Sequence, residues 1–224
     1  MSKMLDAILP PMPAFLDMVS EQAELLSKCM LIAVDCLTDP TPIRFQALAD
    51  IDDKAKELRQ RHLDKLSDSF STPIDRADLV QAINTLEIPV ETMREAVEEM
   101  RALQVTSDNY CLEMAVVLRE AASALHRGYS KLSTNPGQAD PDALMGMQCP
   151  TSVDQVYRKA VAKLFTIDEA VKEGIAKDEE AHIAAFIHTV EILKRREAYR
   201  HLRNISAQMG QAAAVLHSIV MQHG

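Results

Sequence analysis

The chain predicts an all-α protein, an antiparallel bundle of six main helices, and three observations carry that reading. Glycine is scarce, with 6 residues in 224. Met, Leu, Ala, Glu, Gln and Arg are plentiful, the residues that lose little rotamer freedom in a helix, while strand formers rarely cluster. Apolar residues recur three and four apart over long stretches bounded by proline, Asx and threonine signals.

Each element follows from these marks. Helix 1, about 14–38, carries Phe15, Met18, Leu25, Cys29, Ile32 and Cys36 on one face. Asp39-Pro40-Thr41-Pro42 is a turn, with Thr41 as N-cap and Pro42 at the first helical position of helix 2, about 42–69. Its stripe is Ile51, Ala55, Leu58, His62 and Leu66. Ser71-Thr72-Pro73 stops that helix, because a residue before proline avoids the α region, and Asp75 with Asp78 starts helix 3, about 75–103. Thr106 to Asn109 is the next loop, and helix 4 follows over about 108–133.

Asn135-Pro136-Gly137 and Asp140-Pro141 open the last third. A fifth helix ending near 170, or extended from Lys163 towards Lys177, and a long sixth helix reaching the C-terminus are expected there. Pro89 is expected to kink helix 3. Pro150, followed by the capping box Ser152-x-x-Gln155, is expected to interrupt helix 5. Long helices joined by short loops pack antiparallel. Arg59 to Leu66 lines up with Tyr157 to Leu164, an offset that sets helix 2 against helix 5. The expected organisation is one domain over 1–224, with pseudo-repeated three-helix halves at about 14–103 and 108–224.

Composition narrows the function. Lys and Arg number 24 against 33 Asp and Glu, a formal net charge of −9, which repels nucleic-acid phosphates and anionic lipid heads. The densest basic run, Lys194-Arg195-Arg196 with Arg200 and Arg203, reads as a solvated helix face. Aromatics make up 4% and Trp is absent, so stacking platforms for bases or sugars are not expected. Cys29, Cys36, Cys111 and Cys149 are scattered without a metal or disulfide spacing and read as reduced, buried thiols. Asp6 and three prolines break the N-terminal stretch where a secretory leader needs an apolar run, and no run is long enough to span a bilayer. A cytoplasmic location without membrane insertion is the expectation. No nucleophile elbow, P-loop or dinucleotide fingerprint occurs.

The stretch Lys65-Leu66-Ser67-Asp68-Ser69-Phe70-Ser71-Thr72-Pro73-Ile74-Asp75-Arg76-Ala77-Asp78-Leu79 resembles the signature of the PhoU-like family, the phosphate transport regulator group. In that family a helix ending in Phe precedes Thr-Pro-x-Asp-Arg-x-Asp and a new helix. Val156 to Phe165 and Arg196 to His223 resemble the family's fifth and last helices, while about 166–195 looks longer than the family norm. The resemblance implies two three-helix bundles related by a pseudo-twofold. It also implies a non-enzymatic regulatory or accessory role in inorganic phosphate transport through protein contact. The partner would be an inner-membrane phosphate transporter or its signalling partners, with a homodimer compatible. Thr-Pro and Asp-Arg-x-Asp also serve as helix-stop and helix-start chemistry, with acids near the positive end of the helix dipole.

The resemblance further implies acidic pairs four apart, which lie on one helix face and can bridge iron or zinc. Here that pattern is depleted. The helix 2 pair is Asp52 and Lys56, an ammonium in a ligand's place. Asp53 and Glu57 keep the spacing but are rotated about 100° away. The helix 5 pair is Pro150 and Asp154, and Asn204 and Ala207 stand in helix 6. Glu87 and Glu91 survive as a pair. The candidate metal set is therefore Asp52, Glu87, Glu91 and Asp154, for which salt bridging or solvation is expected in place of a cofactor. The alternative function is a metal-binding bundle or di-metal carboxylate enzyme, and Glu179-x-x-His182 has the spacing such enzymes use. A di-iron site needs two copies of that motif; one is present.

Overall fold

A computed structural model describes residues 12–72, 74–166 and 179–223. Six long helices carry the chain: α1 Met12–Thr38, α2 Pro42–Asp68, α3 Arg76–Ala102, α4 Asn109–Lys131, α5 Asp140–Leu164 and α6 Glu179–His223. A 3₁₀ turn, Pro136–Ala139, leads into α5, and there is no strand among the described residues.

The Thr41 and Asp75 caps sit where the sequence places them. Thr41 Oγ1 accepts from the Arg44 N–H at 3.4 Å with Pro42 following, and Asp75 Oδ1 accepts from Ala77 N–H at 2.8 Å. Asp108 Oδ1 accepts from the N–H groups of Tyr110 and Cys111, satisfying two of the orphan donors of α4. The signature segment folds as a helix stop and start. Phe70 is exposed and Ile74 is buried, while Pro73 lies outside the described residues.

Helix contacts divide the bundle in two. α1, α2 and α3 touch one another, as do α4, α5 and α6, and the halves meet through α1 on α4 and α3 on α6. Each half thus has the same contact scheme, with α2 and α5 as outer helices touching only their own half. A single apolar core runs through both halves, from Phe15 and Leu26 in α1 to Leu216 and Val220 in α6. All four cysteines are free and buried, and α6 enters the core only from Ala198 onward.

Two expectations about the last third need correction. Pro150 does not interrupt α5, which runs unbroken through it. Opposite it stands Gly210 of α6, where a Cβ would lie 2.6 Å from Pro150 Cγ. The missing side chain lets the ring seat, and packing outweighs the one lost backbone hydrogen bond. Helix α3 is likewise continuous through Pro89, which is buried. The second correction is the end of α5. It stops at Leu164, with Phe165 N–H bonded to Val161 O and Thr166 N–H to Lys163 O. The expected continuation over 167–177 lies outside the described residues.

Gly146 marks a second close approach of α5 to α6. A methyl there would stand 2.8 Å from Ala213 Cβ and 3.4 Å from Leu125 Cδ2. Gly146→Ala is therefore predicted to destabilise by about 1–2 kcal/mol, because overpacking outweighs the gain in helix propensity. Gly137→Ala, with no atom within 4 Å of the new methyl, should leave the unfolding free energy from urea titration within about 0.5 kcal/mol of wild type.

Candidate functional site

The candidate acids lie at the seams between each outer helix and the third helix of its half. On α2, Asp52 follows the buried Ile51 and points inward, with a side chain only 2% exposed. Its Oδ2 lies 2.6 Å from Arg94 Nε of α3 and 3.0 Å from Lys56 Nζ one turn along α2. Lys56 also reaches Glu91 Oε1 at 3.0 Å, and Arg94 Nη1 bonds Glu98. Hydrogen bonds to Asp52 and then Glu91 push the Lys56 ammonium above its usual range, so it stays charged. Glu87, one turn before Glu91 and buried, is pushed up by burial first and by the Glu91 charge second. The structure therefore brings Asp52 and Glu91 to Lys56, and Asp52 to Arg94, with Glu87 within electrostatic reach of that network.

Asp154 is in the other half and is not part of that group. It has a triad of its own on the same plan. Arg158 Nη2, one turn along α5, lies 2.6 Å from Oδ2, and Arg203 Nη2 of α6 lies 2.9 Å from Oδ1. The Arg203 guanidinium also sits over the Tyr157 ring, 4.8 Å from its centroid. Each half thus carries an aspartate on its outer helix, a cation at i+4, and an arginine from the third helix. Asp53 and Glu57 face outward and are exposed, as the 100° rotation requires.

These residues do not fit a multinuclear metal centre. Among the described residues no three His, Cys, Asp or Glu side chains are grouped to hold a metal ion. Asp52 Oδ2 is committed to two cations, and its buried Oδ1 has no hydrogen-bond partner among the described residues. At an effective dielectric near 20, each pair of like unit charges about 4 Å apart repels by about 4 kcal/mol, and a divalent ion beside Lys56 doubles that. His182 is exposed, and the side chain of Glu179 lies outside the described residues. His62 is buried against Glu21, 3.3 Å away, and His217 Nδ1 lies 2.7 Å from Asp140 Oδ1, so both make structural contacts. Burial pushes the thiols up, Cys36 to about 11 and Cys111 and Cys149 to about 12, which suits inert core residues.

The sequence showed Asp52 with Lys56 but not Arg94, and Asp154 but not Arg203. It also read the basic run of α6 as a solvated face throughout. Arg203 belongs to the Asp154 triad, and Arg195 is partly buried, with its Nε closed off from solvent.

Removing Arg94 strips Asp52 of its closest partner in a buried setting. Arg94→Met is predicted to cost about 3 kcal/mol. Arg158→Ala should cost less than about 1 kcal/mol, because its side chain is 78% exposed and screened. Denaturant titration of both, with the Asp52→Asn/Arg94→Met double variant closing the cycle, measures the difference.

No protein-family model matches the chain, and no curated protein does. Among solved structures, PhoU from Pseudomonas aeruginosa aligns at a TM-score of 0.56 with 17% sequence identity, covering 93% of this chain and 96% of that one. The alignment spans both three-helix halves, and the chain has a PhoU-like fold.

Proposed function

We propose that the chain is a non-enzymatic regulatory or accessory protein of inorganic phosphate transport, acting by contact with a transporter or its signalling partners. The observation that carries this reading is the likeness to PhoU over 93% of the chain. A surface suited to protein contact supports it. The N-terminal stretch of α6, ahead of Ala198, leaves Ile183, Phe186, Ile187 and Leu193 between 50% and 71% exposed. Their spacing puts them on one side of the helix, and a continuous apolar face in water is a binding feature. No helix among the described residues is long and apolar enough to cross a membrane, so a transporter would be reached by docking.

The test is affinity purification of the tagged chain from phosphate-limited and phosphate-replete cells, with phosphate uptake measured in a deletion strain. A phosphate permease or its regulator should co-purify, and Phe186→Asp should abolish that capture without changing the circular dichroism melt. Unaltered uptake at low and high phosphate would refute the reading.

A second proposal concerns metal. The carboxylates of the family's acidic motifs serve here as ion-pair partners, and the chain folds without iron or zinc. Elemental analysis after purification, with melting curves in the presence and absence of a chelator, should give no stoichiometric transition metal and an unshifted midpoint. Two or more ions per chain, lost together with thermal stability, would overturn it.

A further inference from the structure

Away from both triads, one end of the second half holds a cavity of about 320 Å³, at the lower bound of the roughly 300–1,000 Å³ of small-molecule sites. Three helices line it. α6 contributes Arg195, with His188 two turns before it and Tyr199 one turn after. α5 contributes Lys163 and Leu164 at its C-terminal end, and α4 contributes its N-cap Asp108 and Tyr110.

The charges in this cavity are unevenly satisfied. Asp108 Oδ1 accepts two backbone N–H groups at 3.0 and 2.9 Å, and its Oδ2 accepts the Tyr199 hydroxyl. Glu191 accepts from Lys194 Nζ at 2.8 Å. Both lining acids are therefore engaged. Arg195 Nε is shut off from solvent and has no hydrogen-bond partner among the described residues. An unmade hydrogen bond on a buried donor is costly, and such a group in a native fold calls for a partner.

We infer that this cavity binds a phosphate-type oxyanion, held by Arg195 and Lys163 with His188 at its edge. A guanidinium fork and an ammonium together match an anion with several oxygens, which can use the fork and the point charge at once. Leu164 and Ile192 flank the cations, so a phosphate monoester could also lay its organic part on an apolar wall. Free phosphate and a monoester share the recognised chemistry. The inference rests on the cavity alone and does not depend on the transport reading.

The test is calorimetric titration of the full chain with inorganic phosphate, sulfate, AMP and citrate at low salt. Saturable binding of phosphate or AMP is expected, with AMP favoured if the apolar wall is used and free phosphate if it is not. Arg195→Gln and Lys163→Gln should each weaken that binding at least about tenfold, the scale of one lost charge-assisted contact. Arg196→Gln, exposed on the neighbouring face, should leave it unchanged. Lys163 is exposed, so its variant keeps the test valid should Arg195→Gln fail to fold. No saturable binding of phosphate or AMP, tighter binding of citrate than of either, or undiminished binding in Lys163→Gln would each overturn the assignment. A positive titration with unaltered cellular uptake would retain this site while refuting the transport role.

Discussion

Four of the six helices are buried on two sides, and that requirement organises the rest of the molecule. α1, α3, α4 and α6 each pack within their own half and across the seam between halves. Such helices need apolar residues over more than one narrow stripe, as in α3, where Leu79, Ile83, Leu86, Val90, Met93 and Val97 are all buried. α2 and α5 face the core on one side only, which leaves their flanks free for charge. The acids and their cations fall there, at the boundary between core and water, because that boundary lets an aspartate be buried while its lysine or arginine partner keeps its stem against protein and its head near solvent.

The seams also explain the small residues of the second half. Gly146 and Gly210 allow α5 to approach α6 closely, and Gly128 of α4, where a Cβ would lie 2.5 Å from Leu216 Cδ2, does the same for α4 and α6, across which Tyr129 donates its hydroxyl to Ala212 O at 3.1 Å. That bond is made inside the core, where an unpaired phenol would be costly. Close approach and polar satisfaction are one arrangement here, since only a short helix separation brings the carbonyl within reach.

Most of the fold was legible in the sequence because it is written in local signals. Thr41-Pro42 and Asp75 each act through atoms within three residues, so a cap can be read without knowing the neighbours. The end of α3, expected near 103, is also local: α3 ends at Ala102, Gln104 has φ of 56°, Val105 N–H bonds Met100 O at 2.8 Å and Gln104 N–H bonds Arg101 O at 3.1 Å. That is a Schellman stop, for which glycine is the usual sign, and here glutamine bears the strain. Pro150 was read as a break because its compensation, Gly210, stands on another helix. The same limit governed the site. Asp52 with Lys56 is an i,i+4 pair visible in the sequence, whereas Arg94 and Arg203 reach their aspartates only through the rotational register of two packed helices, which periodicity does not specify.

The repeated triad bears on how such a bundle can be neutralised. A bound metal offsets buried carboxylates only while it is loaded, so its contribution follows the supply of free ion by mass action. Arg94 and Lys56 are tethered to the same chain as Asp52, and their effective concentration is set by the fold. Neutralising Asp52 in this way needs nothing from solution. The outer helices differ in how closely they follow the plan. Asp52 is more buried than Asp154, and its cations are shielded more than Arg158 and Arg203. Coulombic attraction is screened least where water is most excluded. The first-half triad is therefore the stronger constraint on helix register, and the second-half triad, open to solvent at both arginines, leaves α5 and α6 to be positioned by their core packing, including the close approaches at Gly146 and Gly210.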